Sequence, residues 1–337
     1  MRIAFHADLN HPQAAVVWGA REALAARGLD LFDGILADAA AEAAADAHVV
    51  HSGLIGVGSV IETLLGYDAP TVILERIDGA QITGPVRGLL KHPKIAAVIK
   101  NTVHGDWRKY NGACWRAHEW PCRVAMGEGE PAPVPMLPED KWISVAEYNK
   151  LAVGFSFAAY EHLRPLIEGP PPDVTRERPF LLNFAGTVDY GPEVPWLDWH
   201  RRRCVDAIRA IPGRHFVGMG RPLTREEFWE SLRQSVFCVS PWGLGEACWR
   251  DFEAVLCGCI VIKPDTRGVL TSPPGFYDGA VHSCDPGFGD LADVVKRLVL
   301  SEVPIQIGEW ADRVRAHASP EAVAARLAEI VNAASTG

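Results

Sequence analysis

VFCVSPWGLGEACWRDFEAVLCGCIVIKPD, residues 236–265, reads as strand, loop, helix, strand. Ser235–Ser240 is an apolar β run. The segment Glu246–Leu256 has helical spacing, and Cys259–Ile262 is a second β run. A helix between two strands predicts a parallel sheet with a right-handed crossover. The loop Ser240-Pro241-Trp242-Gly243-Leu244-Gly245 has glycines that let backbone approach a ligand closely. A helix opening near Glu246 adds free N–H groups and partial positive charge, which suit a phosphate or diphosphate. Glu246, Arg250 and Glu253 are four and three residues apart and share one helical face, with Trp249, Phe252 and Leu256 on the core face. Arginine binds phosphate bidentately, and a carboxylate accepts from ribose hydroxyls. The same spacing fits a solvated salt-bridge ladder, and the preceding glycine loop favours the ligand site.

Outward from this stretch the α/β alternation continues. On the N-terminal side Arg2–His6 is a strand, Gln13–Arg27 a helix stopped at Gly28, and Ala37–Ala47 an alanine-rich helix. His48–His51, Thr71–Leu74, Ala96–Ile99 and Val124–Met126 read as strands, and Val57–Leu65 and Val145–Ile167 as helices. GPPPDVTRERP, residues 169–179, cannot continue a helix and reads as a linker. Beyond it, Phe180–Phe184 and Arg214–Val217 are strands, Asp198–Ile211 is a helix, and Thr224 with Glu227 forms a capping box for the helix Thr224–Gln234. The last helix falls near Pro320–Ala333. The expected fold is α/β: two Rossmann-like parallel-sheet domains facing a cleft, residues 1–168 and 180–337, with the last helix free to pack back on the first domain. In such folds ligands bind outside the C-terminal ends of the strands.

Composition agrees. The chain has 337 residues, enough for two domains at about 150 each. Charged residues are 22% and hydrophobic residues 48%, an ordinary globular mix. Asp plus Glu is 42 against 33 for Lys plus Arg, and a net charge of −9 argues against a general nucleic-acid coat. No long uncharged apolar run predicts membrane insertion, and Asp8 comes too early for a signal peptide. Eight cysteines without a CxxC pair fit reduced thiols, so a cytoplasmic setting is expected.

The order strand, Ser-Pro/Gly loop, helix with Arg and Glu-Ala, then Gly-Cys-Ile-Val-Ile resembles the donor-binding segment of GT-B glycosyltransferases, above all the exostosin-like group. The matching positions are Arg250, Glu253, Ala254, Gly258, Cys259, Ile260 and Val261, and Phe184-Ala185-Gly186 resembles the strand-to-glycine loop that opens such domains. The resemblance spans roughly residues 180–265. The family's usual proline after Gly-Cys-Ile is Val261 here, and Glu246 and Glu253 stand one residue closer than the glutamate pair of retaining enzymes. The resemblance therefore implies a metal-independent, inverting transfer from a nucleotide-sugar donor held in the C-terminal domain, with no cofactor. The acceptor, a carbohydrate or another hydroxyl compound, would lie on the N-terminal domain. Arg250 and Arg221 suit the leaving diphosphate, although Arg221 also reads as a surface arginine.

An inverting transferase needs a base for the acceptor hydroxyl. Asp8, at the end of the first strand, is first choice, with His6, His11 and His51 as substitutes; Asp8 also reads as a helix cap. His48 and His51, three apart on a strand, point to opposite faces and do not make a metal pair. The segment TVHGDWRKYNGACWRAHEWP, residues 102–121, sets Trp107, Trp115 and Trp120 among His104 and other polar groups. It suits stacking on a sugar, and is basic enough for a phosphorylated or nucleic-acid acceptor, or it is a loop closing over the core. No P-loop and no GxSxG elbow occurs. A nucleotide-sugar 2-epimerase and a non-catalytic nucleotide or sugar-binding module share the layout. The oligomeric state is left open.

Overall fold

The computed structural model describes all residues except 36–38, 56–59, 76–78, 113–118, 128–135, 220–221, 302 and 337. The chain divides into two units. One comprises Met1–Asn111, Leu137–Arg164 and Ala316–Gly337, and the other Gly112–Met136 and Pro165–Arg315.

In the first unit, short β-branched and apolar runs form β1 (Arg2–His6), β2 (Asp30–Asp33), β3 (Ala47–His51), β4 (Thr71–Leu74) and β5 (Ile95–Lys100). The short strand β6 (Thr102–His104) and then β7 (Leu151–Val153) follow. The main sheet is parallel, in the order β2-β1-β3-β4-β5-β7. Its central strands are buried along their whole length, as a sheet covered on both faces requires. The C-terminal helix Pro320–Thr336 buries Val323, Leu327 and Val331 in one cluster with Ile3, Phe5, Val49 and Val72.

Three sequence expectations need correction here. Gln13–Arg27 is two helices, Pro12–Gly19 and Arg21–Ala25, broken at Ala20. Val145–Ile167 is not one helix. The Ser144–Glu147 capping box starts a single turn, Val145–Tyr148, and Leu151–Val153 then pairs in parallel with β5. The edge of β5 offers unpaired backbone groups, and satisfying them outweighs a helix-compatible spacing. Val124–Met126 is not a strand: Val124 and Ala125 lie in the helix Glu119–Ala125, whose Cys122 packs with Trp196, Leu197 and Trp242. Strand β2 has no counterpart in the sequence reading.

In the second unit, β8 (Phe180–Ala185), β9 (His215–Gly218), β10 (Ser235–Val239) and β11 (Ile260–Pro264) precede β12 (Val269–Thr271) and β13 (Val281–Cys284). Its Rossmann-like parallel sheet has the order β13-β11-β10-β8-β9. Leu182, Phe184, Phe237, Val239 and Ile262 from the strands meet Cys204 and Ile208 of the helix Pro195–Ala210 in its core. The capping box of Thr224 and Glu227 is present in both directions. In each unit the chain passes to one side of its first strand and then returns to the other. The switch points lie between β1 and β3 and between β8 and β10. Crevices for ligands open outside the strand ends at such points.

Candidate functional site

At the switch point of the second unit two arginines converge on one glycine. Gly186 follows β8 with φ of 155°. A Cβ there would lie 2.6 Å from Arg250 Nη2 and 3.4 Å from Arg201 Nη1. Backbone conformation and close approach both select glycine. Arg201, on the helix Pro195–Ala210, donates from Nη1 to the Thr187 carbonyl at 2.9 Å and from Nε to the Trp242 carbonyl at 3.3 Å. Arg250, on the helix Trp249–Leu256, lies over the Phe184 ring at 5.5 Å. Its Nε and Nη1 are buried and have no hydrogen-bond partner among the described residues. Burial, and next the charge of Arg250, push the Arg201 guanidinium down to about 10. Two adjacent desolvated cations, one with idle donors, are the complement of a multiply charged anion.

The surroundings hold this pair in place. His200 accepts from the Trp242 N–H at Nε2 (3.0 Å), and its Nδ1 donates to the Pro286 carbonyl at 2.9 Å. That fixes a neutral imidazole, stacked on Trp242 at 5.1 Å. The loop 240–248 is tied down by Asp251. Its Oδ1 accepts from Ser240 Oγ at 2.5 Å, its Oδ2 from the Cys248 N–H at 3.1 Å and from the Tyr277 hydroxyl at 2.8 Å. Lys263 lies 3.3 Å from Asp251 Oδ1, and both side chains are fully buried. Asp251 therefore caps the helix that carries Arg250 and anchors the loop before it.

The geometry revises several expectations. The helix starts at Trp249 with Cys248 as N-cap, so the amides of Gly243–Glu246 are not a helix N-terminus. The reason is local: Cys248 has extended cap geometry and Asp251 as its reciprocal partner. Glu246 is buried on the loop, off the face of Arg250 and Glu253. Neither Arg250 nor Glu253 belongs to a solvated ladder: Glu253 is buried and accepts from Trp229 Nε1 at 3.0 Å. Burial raises its carboxyl pKa against the lowering pull of the Trp229 bond and Arg250. Trp249, expected in the core, is 38% exposed, while Phe252 and Leu256 are buried as expected. Trp242 is core, and Ser240 and Pro241 are buried at the start of the loop. Gly243 stands against Arg201, whose Nη2 would be 3.6 Å from a Cβ there, and its N–H donates to the Gly245 carbonyl at 3.2 Å. Arg221 lies outside the described residues.

At the switch point of the first unit Asp8 is exposed in a turn. Its Oδ1 accepts from the Asn10 N–H at 3.0 Å and from Asn10 Nδ2 at 2.9 Å, which hold its pKa below the usual carboxylate range. Asp8 is not the helix cap; His11 is, accepting from the Gln13 N–H. His11 and His51 bring their rings to 4.2 Å, and the charges of both reach Asp8. His6 is buried, its Nε2 3.3 Å from His48 Nδ1, and burial pushes its pKa below the usual histidine value against the opposing charge of Asp33. The sequence reading missed Glu75, at the end of β4, which is fully buried and accepts from Ser52 and Thr83 at 3.3 Å each.

The tryptophan-rich segment does not form one described surface. His104 is buried against Tyr110, with Gln81 Nε2 3.4 Å from its Nε2. Trp107 is half-buried in the first unit, and Trp120 half-buried in the second. Trp115 lies outside the described residues. Among the described residues no group of three or more His, Cys, Asp or Glu is placed to hold a metal ion. None of their helices is long and apolar enough to cross a membrane.

No protein-family model and no curated protein matches the chain. Solved structures resemble its trace. The Anabaena HepE protein in complex with UDP is 12% identical, covering 98% of this chain and 100% of that one at a TM-score of 0.48. The UDP-GlcNAc 2-epimerase of Methanocaldococcus jannaschii, solved with UDP-GlcNAc and UDP, is 10% identical over 98% of this chain and 99% of that one, with a TM-score of 0.43. The GtfA/B complex is 12% identical over 86% of this chain at a TM-score of 0.44, and this chain spans 58% of its length.

Proposed function

We propose that the chain is a glycosyltransferase of the GT-B type that takes a nucleotide-sugar donor with its diphosphate on Arg201 and Arg250. One observation carries this reading: the buried Nε and Nη1 of Arg250 have no partner among the described residues, beside the buried Arg201 at the Gly186 turn. The exostosin-like kinship rests on Arg250, Glu253-Ala254 and Gly258–Val261. In the proposed transfer an acceptor hydroxyl oxygen bonds to the anomeric carbon as the bond to the diphosphate oxygen breaks. The bonding pair leaves with the diphosphate, and inversion follows. The two guanidinium groups neutralise the charge that develops there, the work a metal ion does elsewhere. The hydroxyl proton goes to a base of the first unit, with Asp8 first and His11 and His51 beside it. The acceptor is a carbohydrate or another hydroxyl compound.

The test is turnover of a panel of UDP-, GDP- and ADP-sugars, followed by chromatography of the released nucleoside diphosphate. Slow hydrolysis of one donor, intact in EDTA and lost in Arg250→Met, is the expected result. Epimerised donor without release would establish an isomerase. Tight nucleotide binding with neither outcome would establish a binding module. Loss of turnover in EDTA, restored by a divalent ion, would overturn metal independence.

A further inference from the structure

We infer that Tyr190 selects the organic half of the ligand: its ring stacks the nucleobase of a nucleoside diphosphate whose phosphates lie on Arg201 and Arg250. This rests on the anion reading of the same pocket and adds a specificity element to it.

Tyr190 sits on the loop that leaves β8 just after Gly186 and Thr187. Its ring centroid is 4.9 Å from Arg201 Cζ, so one face is covered by the guanidinium that faces the anion pocket. The residue is nevertheless 37% exposed. Its backbone N–H donates to Asp198 Oδ1 at 2.6 Å, and Gly191 follows with φ of 85°, so the ring stands on an anchored turn. A lone exposed aromatic is ordinary on a protein surface. The guanidinium beneath it separates Tyr190 from that case. Holding the ring against a buried arginine restricts it before any ligand arrives, and a π surface added to the free face meets a pre-set platform. Two further large apolar side chains are exposed on the segments that build the pocket. They are Leu244 (48%), beside Gly243, and Trp249 (38%), beside Arg250. A site for inorganic anions alone gains nothing from an apolar rim. A phosphate ester of an aromatic base uses both halves.

The experiment compares inorganic pyrophosphate with the tightest of UDP, GDP and ADP by calorimetry on the full chain. Tyr190→Ala is expected to weaken the nucleotide about tenfold, the scale of one stacked base, and to leave pyrophosphate within about twofold. Tyr190→Phe is expected to match the native chain. Arg250→Met is expected to weaken both ligands. Equal loss of both ligands in Tyr190→Ala, or no loss of either, would overturn the stacking role while leaving the arginine pocket standing. If the native chain binds neither pyrophosphate nor any of the three nucleotides, the pocket reading and this inference fall together.

Discussion

Replacing Arg250 with methionine should separate binding from stability, because two of its donors serve no partner in the unliganded fold. Nε and Nη1 are buried and unpartnered. Each such group costs about 1–3 kcal/mol relative to a satisfied one. The neighbouring Arg201 guanidinium is pushed down to about 10, by burial first and by Arg250 second. Only the Arg250 share of that shift is relieved by the substitution, since burial remains. That share is present at pH 7 and is relieved only as pH rises from the folded-state value near 10 towards the free arginine value. Against these stand the contact with the Phe184 ring at 5.5 Å, worth about 0.5–1 kcal/mol, and the negative groups around Arg250, among them Cys248, Asp251 and Glu253, which outweigh burial and raise its pKa. Methionine keeps most of the volume without the charge. These terms nearly offset, so the unliganded variant should stay within about 1–2 kcal/mol of the native chain, or roughly 2–8 °C in Tm. The same change removes charged hydrogen bonds worth about 1.5–3 kcal/mol each, so nucleoside diphosphate affinity should fall by more than about 10-fold. Thermal melting with and without UDP, GDP and ADP, followed by calorimetry, reads both quantities. A variant that melts far below the native chain yet binds nucleotide unchanged would refute the reasoning and make Arg250 a structural cation.

Asp251→Asn should leave the buried Lys263 ammonium without its charge partner and cost about 3–5 kcal/mol in urea unfolding. Pairing Asp251→Leu with Lys263→Met should recover much of that, and no recovery would mean the loop bonds to Ser240 and Cys248 dominate. His48 is held down to about 4 by burial and then by His6, with Glu42 opposing. Its folded-state value lies below the free 6.5, so its stabilising contribution is present above pH 6.5 and is lost as pH falls towards 4, by about 2–3 kcal/mol. Unfolding free energies at pH 7, 5.5 and 4.5 should show this slope in the native chain and a flatter one in His48→Phe. Asp8→Asn should fold, bind nucleotide normally and lose about 10²–10⁴ in turnover. Near-native turnover would move the base to His11 or His51.

The sequence carried the strand–loop–helix–strand order of residues 236–265 because apolar periodicity and glycine placement are local signals. The capping box at Thr224 was legible for the same reason: both partners lie within one turn. Arg250 was legible from its place after the glycine loop. Arg201 was not, since its helix shows several arginines in a row and only the sheet order brings this one to Gly186. The Asp251–Lys263–Tyr277 network was equally hidden. Its members are separated by 12 and 26 residues from Asp251 and meet only through packing. Strand β7 escaped notice because pairing with β5, a tertiary event, decides its conformation. The helix starts three residues later than the glycine loop suggests, at Trp249 and not Glu246, because the reciprocal Cys248–Asp251 cap that opens it has a cysteine where a hydroxyl or carboxylate cap is the usual signal.

The most direct measurement is a crystal structure of the chain grown with whichever of UDP, GDP or ADP binds most tightly. The account predicts diphosphate oxygens about 2.9 Å from Arg250 Nε or Nη1 and from Arg201, above the Gly186 turn. A nucleotide bound elsewhere, with both guanidinium groups as they stand in the unliganded protein, would contradict it.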